Sequence, residues 1–159
     1  LLSSLRATEH LSAPVIEIGA YRGVTTAVLA AATKRDYFAV DPYIGYGGAA
    51  SDHRHLMSRI AKLDNVTHLR LTSGEAFRSN VVTRISFAFI DAVHDYVNAR
   101  FDGYNWGAKL ERGGLIAFHD ADSIEFPGVQ RAIWQMLKQH SKRYALFAHV
   151  EGLVVLQSK

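Results

Sequence analysis

Apolar runs of strand length alternate along this chain with stretches of helical period, the arrangement expected of βαβ units around a parallel sheet. Pro14 opens the first run, VIEIG, at residues 15–19. Gly23 then precedes VTTAVLAAATK, whose Ala and Leu content favours a helix, closed by Arg35 and Asp36 before a second strand, YFAVD, at 37–41. Residues 42–52, PYIGYGGAASD, carry glycines and a proline with no period and read as a loop. Helical spacing resumes over 53–63, and a third strand, VTHLRL, covers 66–71. SGEAFRSNVV supplies a short helix before the fourth strand, ISFAFID, at 85–91.

Tyr96 to Leu110 reads as an amphipathic helix, which Gly103 and Gly107 weaken by about 1 kcal/mol each relative to Ala. Gly113 and Gly114 are expected to end it before the fifth strand, LIAFH. After Pro127, helical spacing puts Val129, Ile133, Trp134, Met136 and Leu137 mainly on one face. YALFAHV and LVVLQ, joined by Glu151-Gly152, predict an antiparallel hairpin at a sheet edge. The expected class is α/β: a Rossmann-like, open, mostly parallel sheet with helices on both faces and a C-terminal antiparallel hairpin. Residues 1–159 read as one domain without repeat or linker, and the start at Leu1 leaves room for an upstream element.

Composition narrows this picture only a little. A chain that is 48% hydrophobic and 21% charged can bury an ordinary core. The net charge of +3 is spread over short clusters such as Lys34-Arg35 and Lys142-Arg143, with no basic stripe interleaved with aromatics, so nucleic acid is not expected as a partner. The chain has no cysteine, which excludes disulfides and thiolate zinc sites. No apolar run approaches the roughly 18–20 residues of a membrane span, and no leader pattern opens the chain, so no membrane is expected and the cytoplasm is the default location.

Candidate chemistry concentrates where apolar runs stop. Asp91 and His94 follow the fourth strand, and His119 and Asp120 end the fifth. Neighbouring parallel strands would bring these four groups together at their carboxyl ends, where open α/β sheets hold ligands. A second motif is Glu17-x-Gly19-x-x-x-Gly23, a tight turn leading into a helix N-terminus with free N–H groups. Bulky Tyr21 and Arg22 interrupt the spacing of a dinucleotide fingerprint, so NAD is disfavoured. Asp41, 18 residues beyond Gly23 at the end of the second strand, can accept hydrogen bonds from vicinal ribose hydroxyls. The plain alternative is that Gly19 and Asp41 only serve turns.

These residues resemble the class I S-adenosylmethionine-dependent methyltransferases, from about Pro14 to the C-terminal hairpin. EIGAYRG is similar to that family's first motif. The resemblance implies that Glu17 and the backbone of Gly19, Ala20 and Tyr21, ahead of Gly23, hold the methionine part of the cofactor and Asp41 the ribose. It also implies an adenine contact at Ser73-Gly74-Glu75, which reads equally as a helix cap at Ser73. IDAVHDY followed by LERGGLIAFHD further resembles the metal-dependent small-molecule O-methyltransferases of the catechol and macrolide-sugar types. In that group an Asp after the fourth strand and two polar residues 28 and 29 positions later bind the metal, and a basic residue three after the Asp is the general base. Asp91, His119 and Asp120 match the ligands and His94 the base, with His119 standing where a carboxylate is common.

The implied reaction is methyl transfer to a small-molecule hydroxyl. A divalent cation lowers the hydroxyl pKa; oxygen ligands suit Mg²⁺, and an imidazole is better tolerated by Mn²⁺, Fe²⁺ or Zn²⁺. His94 can take a proton near neutral pH. The alternatives are turn caps at Asp91 and Asp120, a surface role for His94, a non-catalytic binding domain of the same fold, and an Fe²⁺ oxygenase triad of Asp91, His94 and His119. Asp95 and Asp122 read as outer partners of the site or as solvated charges. His53 and His55 flank the glycine loop, a candidate lid over 42–56. Trp106 and Trp134 read as packing residues, and Tyr43, Tyr46 and Tyr96 as pocket lining or turn packing.

Overall fold

The computed structural model describes residues 1–45 and 48–159. Its elements are α1 (Leu2–Ala7), β1 (Val15–Ile18), α2 (Val24–Ala31), β2 (Tyr37–Val40), α3 (Ala50–Ile60), β3 (Val66–Leu69) and α4 (Ser73–Ser79), then β4 (Ile85–Ile90), α5 (Tyr96–Ala108), β5 (Leu110–Phe118), α6 (Pro127–Gln139), β6 (Tyr144–Val150) and β7 (Leu153–Ser158). The strands form one seven-stranded sheet in the order β3-β2-β1-β4-β5-β7-β6. β1 to β5 pair in parallel, and β7 lies antiparallel between β5 and β6. The Rossmann-like class read from the sequence is the observed one.

Every position of β1 and β4 is buried, because helices cover both faces of the sheet. Ile16, Ile18, Ala88 and Ile90 pack with Ala76, Trp106 and Met136 of α4, α5 and α6. Val15, Phe87 and Phe89 pack on the opposite face with Leu5, Leu29 and Leu56 of α1, α2 and α3. Chain order reverses at β1, which has β2 on one side and β4 on the other. That reversal opens the crevice at the carboxyl ends of β1 and β4 where ligands of such sheets bind.

Several local expectations need correction. Gly113 and Gly114 do not end α5; they lie inside β5, at an irregularity where Ile85 pairs with Leu110 but Phe87 with Leu115. Gly113 has φ +84°, and a Cβ on Gly114 would lie 2.9 Å from the carbonyl oxygens of Ser86 and Glu111. The glycines of α5 serve close packing: a Cβ at Gly103 would stand 3.0 Å from Phe118, and one at Gly107 would stand 2.8 Å from Met136. Trp106 is fully buried, whereas Trp134 is 58% exposed, so the apolar face of α6 is carried by Val129, Ala132, Ile133 and Met136. α3 starts at Ala50, so residues 50–52, read as the end of the 42–52 loop, form the first turn of the helix; Tyr46 and Gly47 lie outside the described residues.

The periodicity gave no sign of α1, which a buried Arg35 secures. Its guanidinium donates to the Thr8 carbonyl at 2.9 Å, to Thr8 Oγ1 at 3.0 Å and to Ser86 Oγ at 2.7 Å. Arg35 is thus no part of a basic surface, and burial pushes its pKa down. The hairpin turn has φ +42° at Glu151 and +76° at Gly152, the positive values that match strand twist in a two-residue turn. No helix among the described residues is long and apolar enough to cross a membrane.

Candidate active site

At the carboxyl end of β1 the chain turns sharply through Gly19 at φ +96°. The turn presses directly on β4: a Cβ on Gly19 would fall 2.1 Å from the Asp91 carbonyl oxygen and 2.9 Å from Ala92 Cα. Gly19→Ala is therefore expected to cost about 3 kcal/mol or more, from the disfavoured φ together with the clash. Chemical denaturation of the variant checks the effect.

The amides of this turn already have partners. Gly19 and Ala20 donate to the Val40 carbonyl, Gly23 to the Ala20 carbonyl, and Tyr21 to Asp41 Oδ2 at 2.9 Å. Asp41 Oδ1 also accepts from the Tyr43 amide at 3.1 Å, so two backbone N–H groups fix this 7%-exposed carboxylate just beyond the carboxyl end of β2. α2 follows Gly23 with no side-chain cap, leaving its first N–H groups for a ligand. Glu17 points the other way, fully buried, and its Oε2 accepts from Thr26 Oγ1 at 2.6 Å and Tyr37 Oη at 3.0 Å. Burial pushes its pKa up to about 7 against the pull of those two hydrogen bonds.

At the adenine position suggested by sequence, the cap is Thr72 rather than Ser73. Thr72 Oγ1 accepts from the Glu75 amide, and Glu75 Oε2 accepts from the Thr72 amide at 2.9 Å, a reciprocal capping box. Ser73 Oγ turns inward, donating to Asp102 and accepting from Trp106 Nε1 at 2.9 Å. Burial raises Asp102 to about 7.

The four groups after β4 and β5 converge. His94 Nε2 lies 3.5 Å from Asp91 Oδ1 and 3.1 Å from Asp120 Oδ2, and His119 Nδ1 lies 3.4 and 3.2 Å from the same two oxygens. All four atoms fall within 4.8 Å of one another. Ligands about 2.1 Å from one ion stand about 3.0 Å apart at cis octahedral positions and about 3.4 Å apart at tetrahedral ones. The observed spacings match. His94 Nε2 is buried against both carboxylates without a well-aligned hydrogen bond, a setting in which the ring lone pair can face an ion or take up a proton. Asp91, then Asp120, push its pKa up against burial.

Backbone pairing places this cluster. The Asp91 amide donates to Ile18 and the His119 amide to Ile90, so β1, β4 and β5 end in step. Asp120 then adopts φ +53°, turning the chain away from the sheet. Phe126 stacks on the His94 ring at 4.6 Å, a contact that only its place before Pro127 at the start of α6 could have suggested. Thr26, Tyr37 and Phe126 escaped the sequence reading because each acts from another element.

Other candidates go elsewhere. Tyr43 is buried, donates to the Tyr21 carbonyl and packs against His53 and His68, while Tyr96 donates to Gln135 between α5 and α6. Asp95 caps α5, accepting from the Asn98 amide at 2.9 Å. Tyr46 lies outside the described residues.

A family profile described as a methyltransferase domain matches residues 16–121. No curated protein matches the chain. Among solved structures, an O-methyltransferase from Bacillus cereus in complex with SAH is similar at 14% identity and TM-score 0.79, covering 99% of this chain and 80% of that one. CalS11, a TDP-rhamnose 3'-O-methyltransferase of calicheamicin biosynthesis, is similar at 18% identity and TM-score 0.74, covering 98% and 76%. An rRNA methylase from Streptococcus thermophilus is similar at 16% identity and TM-score 0.71, covering 98% and 94%. At these identities the structures speak for the fold.

Proposed function

The chain belongs to the methyltransferase domain family, a class I S-adenosylmethionine-dependent enzyme, and from that premise we propose that it methylates a hydroxyl of a small molecule with the help of a divalent cation. The convergence of two carboxylates and two imidazoles beside the glycine turn carries this reading. Bound S-adenosylmethionine supplies the methyl group, and a bound cation lowers the pKa of the acceptor hydroxyl. Asp91 and Asp120 hold the cation, with His119 as third ligand. One imidazole beside two carboxylates suits Mn²⁺, Fe²⁺ or Zn²⁺ as well as Mg²⁺. His94 Nε2 receives the proton of the acceptor hydroxyl, and stacking on Phe126 fixes its approach. The shared edge of β1, β4 and β5 aligns acceptor oxygen and methyl group, a matter of positioning.

Some of the basic side chains are engaged within the fold. Arg35, Lys109 and Arg143 donate to backbone carbonyls within the fold, and Arg22 pairs with Asp52 at 2.6 Å. The reading is tested by assaying methyl transfer to a panel of sugar and phenolic hydroxyls. Activity should vanish on removal of divalent ions with a chelator and return with Mn²⁺; full activity in excess chelator would overturn the metal role.

Cofactor binding rests on the other side of the crevice. Asp41→Ala is expected to weaken S-adenosylhomocysteine by about 10- to 100-fold, about 1.5–3 kcal/mol for a carboxylate that loses a ribose diol. Titration calorimetry measures it, and an unchanged affinity would refute the ribose assignment.

A further inference from the structure

Asp122 lies two residues beyond Asp120, and its partners come from the β6–β7 hairpin, 27 and 30 residues further along the chain. Its Oδ1 and Oδ2 lie 2.9 and 2.7 Å from His149 Nε2, and its Oδ2 also accepts from the Gly152 amide at 3.1 Å. The Gly152 carbonyl in turn accepts from the Ala121 amide at 2.8 Å. The residues on either side of that amide, Asp120 and Asp122, are thereby bounded by one two-residue hairpin turn. Asp120 sits at φ +53°, a left-handed conformation that Asp adopts more readily than most residues but at some cost, and these contacts hold the backbone beside it. A half-exposed His–carboxylate contact, with side chains 44% and 42% accessible, adds little to global stability, so its effect should appear as local geometry.

We infer that Asp122, His149 and the Gly152 backbone form a clamp that sets Asp120 in place as a metal ligand, making Asp122 and His149 positioning residues for ion binding. The inference rests on the metal reading above. Outer partners of ligands commonly alter metal affinity by about 10- to 100-fold. Mn²⁺ binding to wild-type protein, Asp122→Ala, His149→Ala and His149→Gln, followed by water-proton relaxation, separates the possibilities. Asp122→Ala and His149→Ala should bind Mn²⁺ at least about tenfold more weakly, with S-adenosylhomocysteine affinity and thermal midpoint unchanged. His149→Gln keeps an N–H donor toward Asp122 and should restore Mn²⁺ affinity to near wild type. Amide exchange at Ala121 should quicken in both alanine variants, with or without the ion.

Wild-type Mn²⁺ affinity in Asp122→Ala would overturn the clamp while leaving the metal reading standing. Unchanged Ala121 exchange would do the same. A wild-type protein that takes up neither Mn²⁺ nor, in calorimetry, Zn²⁺ or Fe²⁺ would overturn the metal reading, and with it the ligand role given to the clamp.

Discussion

Asp91→Asn and Asp120→Asn are each expected to lower methyl transfer by roughly 10³-fold or more, about 4 kcal/mol at the transition state. The two carboxylates carry the only formal negative charge in the four-residue cluster, and each faces both imidazoles at 3.1 to 3.5 Å. Losing one leaves a site with half its charge and too weak a hold on a divalent cation. Affinity for S-adenosylhomocysteine should survive, since Asp41 and the start of α2 belong to the other side of the strand-order reversal. Calorimetry with Mn²⁺ and with the nucleoside, run beside the rate assay, checks all three; a variant that keeps its turnover would remove that carboxylate from the ligand set.

His94→Gln is expected to retain the cation while losing about 10² to 10⁴ in rate, the range for a general base. The glutamine side chain reaches a similar position but takes no proton. His94 Nε2 nevertheless stands as close to the carboxylates as His119 Nδ1 does, so the Mn²⁺ titration decides between the two roles. A large loss of ion affinity would move His94 into the ligand set and transfer the base role to another group. Full activity would exclude both.

Much of the fold was legible because burial writes directly into the strands. ISFAFI and VIEI read as strands because a central parallel strand is covered on both faces and must be apolar at nearly every position. The hairpin was legible because Glu151-Gly152 has few backbone options between two apolar runs. Gly113 and Gly114 misled because a glycine pair marks either a helix end or a backbone approach, and only the pairing of β5 with β4 shows the second. Trp134 misled because helical spacing gives an angle around α6 but not the width of the covered face. α1 is too short for a period to show, and its support, Arg35, comes from beyond the first strand.

The sequence by itself determined which residue types follow β2, β4 and β5: Asp41, Asp91, and the adjacent pair His119 and Asp120. A strand's last residue is local information, and parallel pairing then delivers those ends to one edge of the sheet. Tertiary structure decided what each side chain meets there. It turned Glu17 into the interior toward Thr26 and Tyr37, made Thr72 rather than Ser73 the cap, and drew His94 within 3.1 Å of Asp120. It also joined Asp122 to His149. Apart from the Thr72–Glu75 cap, which is local, each of those contacts links different elements of the chain, and a side chain's direction between elements is set by packing of the whole domain rather than by any local pattern.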